Sequence, residues 1–148
     1  MRLMIALSLL LLGACDILPR DPAGTSTRIE KTATFTVALA DPSVRTERRV
    51  GLLIHEIERR TKAKARWRAG SGEALLQLLD TKGLDLVIGR FTADSPWATG
   101  VAFGPTLLAT GPKGSPIELK TAMRNGENRW IMTVEQASRA ISQEAREQ

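Results

Sequence analysis

ALLQLLDTKGLDLVIG, residues 74–89, reads as one α/β unit. Leu75, Leu76, Leu78 and Leu79 crowd a helix, Gly83 supplies its stop, and Leu84–Gly89 is a short apolar run with the length of a buried strand. Ser71 stands where it can cap that helix, and Glu73 lies near its positive end. The same alternation extends upstream. Phe35–Ala40 (FTVALA) is apolar and bounded by Asp41-Pro42, as a buried strand is. Val50, Leu53, Ile54 and Ile57 then recur at helical spacing within Glu47–Lys64, and Ala65–Ala69 (ARWRA) has the length of a second strand. Strand–helix–strand–helix–strand with short joints predicts an α/β fold, a mainly parallel sheet flanked by helices, with Phe35–Ala40 in the middle of the three strands.

Downstream the signals are shorter. Val101–Phe103 and Leu107–Thr110 are strand candidates. Ile117–Arg124 alternates, with Ile117, Leu119, Thr121 and Met123 on one face and Glu118, Lys120, Ala122 and Arg124 on the other, which predicts a half-exposed edge strand. Asn125-Gly126 turns the chain into a C-terminal helix striped by Trp130, Ile131, Val134, Ala137, Ser138 and Ile141. Trp67 and Trp130 fall on periodic faces and are expected in the core. Glu56/Arg60 and Glu58/Lys62 are four apart, the spacing of helical ion pairs.

The first residues carry an address. Arg2, the apolar run Leu3–Leu12, then Gly13, Ala14 and the single cysteine, Cys15, have the order of a secretory signal. The run is shorter than the roughly 20 residues of a membrane-spanning helix. Leu12-Gly13-Ala14-Cys15 also resembles the lipobox of bacterial lipoproteins. On that reading residues 1–14 are removed, Cys15 carries palmitate and related acyl chains, and the protein is attached to the periplasmic side of a membrane. An ordinary signal peptide with a leftover cysteine is the alternative. Asp16 after the cysteine resembles an inner-membrane retention signal and favours that membrane over the outer one. Asp16–Thr34, with Pro19, Pro22, Gly24 and a Thr/Ser cluster, shows no apolar period and reads as a flexible tether reaching about 24 Å. The organisation expected is therefore signal 1–14, lipidated cysteine and tether 15–34, and one domain over 35–148.

Composition narrows the function. With 43% hydrophobic and 25% charged residues the chain is globular in class. The net charge of +5 is spread among interspersed acids and bases, which argues against nucleic acid as a partner. His55, the only histidine, lies opposite the apolar face of its helix and reads as a surface residue. Metal-ligand spacings, a glycine-rich phosphate loop and GxSxG are not found in the sequence, so neither catalytic residues, metal nor cofactor are assigned and an enzyme is not expected. The candidate recognition loop is RFTADSPWATG (Arg90–Gly100), which follows the third strand's C-terminal end, where open parallel sheets place ligands. Its candidates are Arg90 for an anion, Trp97 for stacking, and Thr92 and Asp94 beside them. Against this stands the reading of Trp97 as a core cap and Arg90 as a solvated side chain. Ser71 and Gly72, in the turn opening the leucine-rich helix, are a second, weaker anion site.

Phe35–Gly104 resembles the first lobe of family 3 periplasmic solute-binding proteins, the ligand-capturing parts of amino-acid importers. The resemblance rests on FTVALA, the long helix after it, and Ala74–Gly89, where Asp85 and Gly89 take the family's recurrent positions. Phe103-Gly104-Pro105-Thr106 is similar to the family's Phe-Ser-x-Pro-Tyr, with Pro105 one residue early and Thr106 for tyrosine. The resemblance implies a periplasmic-binding-protein-like (type II) lobe, closed by Ile117–Arg124 and the last helix. Trp97 stands where the family carries the arginine that clamps a ligand carboxylate, and one lobe is expected where the family has two. The implied role is a tethered, non-catalytic accessory or scaffold protein of an inner-membrane or transport complex. Binding of a small, amino-acid-like solute is the alternative.

Overall fold

The computed structural model describes residues 19–81 and 83–148. Cys15 and the expected signal, residues 1–14, lie outside the described residues. A short helix α1 (Thr25–Thr32) leads into strand β1 (Thr34–Leu39), a 3-10 turn (Pro42–Thr46) and helix α2 (Arg48–Thr61). Strand β2 (Lys64–Trp67), helix α3 (Ala74–Asp80) and strand β3 (Leu86–Thr92) follow. After a second 3-10 turn (Pro96–Thr99) come β4 (Val101–Phe103), β5 (Leu108–Thr110), β6 (Ile117–Arg124), α4 (Asn128–Ile141) and α5 (Gln143–Arg146).

The sheet is mixed, in the order β2-β1-β3-β6-β4, with β5 also on β6. β1 pairs parallel with β2 and with β3, and so sits in the middle of the three as its sequence predicts. β6 runs antiparallel to β3, β4 and β5. One face packs on α1, α2 and α4 through Ile29, Val50, Leu53, Ile57, Trp130 and Val134. The other carries α3, whose Leu75, Leu76 and Leu79 meet Ala38, Val87 and Phe91. α2 buries the four residues its spacing names and ends on Lys62, which takes the left-handed conformation at φ 58°. That turn removes Lys62 from the helix, so Glu58 pairs with Lys64 instead of the residue four ahead, while Glu56 does meet Arg60.

Two expectations are corrected. The tether is ordered over its described part: residues 25–32 are helical and Ile29 is 1% exposed. Polar groups hold it there. Asp21 accepts the N–H groups of Ser26, Arg129 and Trp130, and buried Glu127 accepts those of Ala23 and Thr25. An eight-residue helix shows too few apolar positions for a period, and its fastening lies a hundred residues away in sequence. β6, in turn, is not an edge strand. Its alternation is as predicted, but β3 flanks it on one side and β4 and β5 on the other. Its polar face is covered as well: Lys120 is buried, bonded to Glu118 at 2.8 Å and 4.7 Å above the Phe103 ring.

Candidate functional site

The parallel strands β1, β2 and β3 end at one rim of the sheet, where the segments at 40–47, 68–73 and 93–100 meet. Gly72 ties two of them, donating its N–H to Ala40 O at 2.7 Å. Strand alternation places Arg90 on the same face as Leu86 and Ile88, so its side chain turns toward the first segment. There Nη1 donates to Asp41 Oδ2 at 2.9 Å and to Ser43 Oγ at 3.1 Å. Asp41 also accepts the Ser43 N–H and so caps the 3-10 turn. Hydrogen bonds from Ser43, and then the Arg90 guanidinium, hold the Asp41 carboxyl below its ordinary range. Arg90 is therefore committed to an internal ion pair.

The other sequence candidates are not gathered around Arg90. Trp97 packs on the second core with Phe103, as a core cap does, and Ser95 caps its turn. Thr92 and Asp94 are exposed and enter no side-chain hydrogen bond or ion pair among the described residues. Ser71 is exposed and does not cap α3; Glu73 occupies that position without a side-chain bond. The Gly70-Ser71-Gly72 turn accounts for this, since two glycines at φ 149° and 74° carry the chain away before the helix begins. Gly72's N–H is spent on Ala40, so this turn does not form the expected anion cradle.

Asp85 is also removed from the rim. It lies before β3, at the opposite end of the sheet, where it accepts the Thr36 N–H at 2.8 Å and pairs with Arg28 of α1. Burial pushes its carboxyl above the ordinary range against the pull of Thr36 and Arg28. Trp130 donates its indole N–H to Asp85 O at 2.8 Å. Asp85 is thus a fastening point for α1, β1 and α4.

A hollow of about 210 Å³ opens at the rim beside β2, lined by Leu39, Pro42, Arg45, Trp67, Arg68 and Gly70 among others. Trp67, expected in the core, is 43% exposed, with the Arg45 guanidinium 5.4 Å from its ring centroid. The correction has a simple cause: β2 is the terminal strand, and helix packing does not reach its end. The flanking Arg66 and Arg68 were the signal available in the sequence. A second hollow, about 330 Å³, lies between α1, α2 and α4. Its arginines are already paired, Arg60 with Glu56 and Arg129 with Glu30. Among the described residues no group of three or more His, Cys, Asp or Glu could hold a metal ion, and no helix is long and apolar enough to cross a membrane.

Comparison with known proteins is informative at the level of structure. No protein-family model and no curated protein sequence matches the chain. The arginine-bound form of domain 1 of the T. maritima arginine-binding protein TmArgBP superposes with a TM-score of 0.64 at 21% identity, covering 76% of this chain and 97% of that one. The VFT2 domain of Bordetella pertussis BvgS, as a double mutant, gives 0.63 at 11% identity, covering 84% and 95%. An ancestral cationic amino acid solute-binding protein gives 0.54 at 10% identity, covering 80% of this chain and all of that one. The chain has the fold of a single solute-binding-protein lobe, like domain 1 of TmArgBP.

Proposed function

We propose that this protein is a non-catalytic recognition lobe that serves as an accessory or scaffold component of an envelope complex, attached through Cys15 to the periplasmic face of the inner membrane. The observation that carries this reading is the pairing of Arg90 with Asp41 and Ser43. A free arginine at a strand end can clamp a carboxylate through two charge-assisted bonds. Here the guanidinium already has its carboxylate, and Trp97 is turned into the core. The fold is that of a solute-binding lobe, Trp97 stands where the resemblance puts the clamping arginine, and the nearby Arg90 is used internally; fold alone does not confer the activity of structural neighbours. The ordered N-terminal segment supports the geometry of attachment. Asp21 is fixed at the N-terminal ends of the strands, so the rim lies about 20 Å away along β3 and points off the anchored end.

Calorimetry of the chain beginning at Pro19 with free amino acids, arginine among them, tests this. The expected result is binding no tighter than millimolar, about −4 kcal/mol. Micromolar binding abolished by Arg90→Ala would overturn the accessory reading. It would replace it with the alternative, a solute-binding component of a transporter or sensor.

A further inference from the structure

The rim hollow holds a cation with no internal counter-ion. Arg45 contacts only the Trp67 ring and forms no ion pair among the described residues, while the Arg68 guanidinium, on the other face of the sheet, reaches back to Gly83 O. Beside them Arg66 is also exposed and unpaired. The outer edge of β2 is not a general pairing edge, because Glu58 occupies the Ala65 N–H at 3.0 Å. What stays open is its end, at Trp67. Trp and Arg are the residue types that dominate binding energy at protein interfaces. An open hollow of 210 Å³ is smaller than the roughly 300–1,000 Å³ that encloses a small ligand, but it takes a side chain of a larger partner. A second copy would bring guanidinium against guanidinium. A bilayer is disfavoured because the N-terminal segment fastens at the opposite end of the lobe.

We propose that the Arg45–Trp67 hollow docks an acidic segment of a partner protein, with a carboxylate at the Arg45 guanidinium and an apolar or aromatic neighbour laid on Trp67. This rests on the accessory reading and names the chemistry of the partner it requires. Electrostatic complementarity of this kind sets specificity and is weakened by salt.

The test uses the full chain and the synthetic peptide Gly-Glu-Glu-Phe-Glu-Gly, followed through the indole N–H resonance of Trp67, assigned with Trp67→Phe. The expected result is a saturable shift that weakens with salt and is missing with the Lys-for-Glu peptide. Arg45→Gln should weaken binding by roughly fivefold, and Arg68→Gln, whose guanidinium is held at Gly83 O, should leave it unchanged. Unmoved Trp97 and Trp130 resonances show that the variants are folded. An equal response to the Lys peptide, or none at about 10 mM acidic peptide, well above the affinity a millimolar site would show, overturns the proposal. So does free glutamate binding as tightly as the peptide, which marks a solute pocket. Phosphatidylglycerol vesicles shifting Trp67 when the peptide does not would overturn it in favour of a membrane. Apart from tight binding of free glutamate, which would also count against the accessory reading, these results leave that reading standing; it falls on tight amino-acid binding through Arg90.

Discussion

Asp85 shows how a family-like residue can serve the fold instead of the ligand. It is 6% exposed, and its two oxygens are divided between a backbone N–H and a guanidinium, so it joins β1 to α1. Asp85→Ala would leave the Thr36 N–H without its acceptor and Arg28 without its partner. A buried donor left unsatisfied costs about 1–3 kcal/mol. Because Arg28 is 40% exposed and regains water, the loss should fall within that range instead of the larger one for a fully buried pair. Chemical denaturation should show it, and Asp85→Asn, which keeps one acceptor oxygen, should lose less. The pH dependence has a definite sign. Burial raises the folded carboxyl above the unfolded value of 3.8, so the native state binds more protons in that window. Stability from this residue then declines as pH rises through it, and the Asn variant should lack that slope. An identical slope in both proteins would remove Asp85 as its source.

At the scale of elements, α1 is the test of what counts as the domain. It contributes one fully buried side chain, Ile29, worth about 1.5–3 kcal/mol in burial. It also shields the Glu127 carboxylate, which is 1% exposed and accepts two N–H groups from this segment. Removing residues 1–18 should therefore leave a folded protein. Removing 1–33 should cost several kcal/mol, a large part of the about 5–15 kcal/mol total stability of a domain, and lower the melting temperature markedly. Circular dichroism melts of the two truncations decide it, and equal melting temperatures would return the segment to a tether. The same contrast explains which elements were legible in the sequence. α2 and α4 bury stripes at helical spacing, and β1 and β3 are apolar runs, because both of their faces are covered. α1 was hidden because its attachment is a set of long-range polar bonds. β6 was misplaced because alternation reports the chemistry of two faces and says nothing of which strands flank them. At the rim, Arg90 was found from its place after a strand, but its pairing with Asp41 spans 49 residues. Trp67 reads as core in the sequence because periodicity does not reveal that a strand is last in its sheet.

For the whole molecule the proposed membrane attachment has two physical sources to separate, surface charge and an acyl anchor. The net charge of +5 alone draws the lobe toward anionic lipid, but attraction between solvated charges fades once the Debye length shrinks from about 8 Å at physiological salt to about 3 Å at 1 M. An acyl anchor behaves differently. Each buried methylene contributes about 0.8 kcal/mol, independent of ionic strength, and two or more chains give stable attachment where one is marginal. The two mechanisms therefore separate by salt. With Cys15 lipidated, the chain should stay in the membrane fraction through a wash at about 1 M salt, where screening is nearly complete. The mature protein's intact mass should exceed that of residues 15–148 by the lipid. Cys15→Ser should release it at any salt. Retention of the Cys15→Ser protein at low salt only would assign the attachment to charge. Retention at high salt would place the anchor elsewhere and remove the reason for directing the Trp67 rim away from the bilayer.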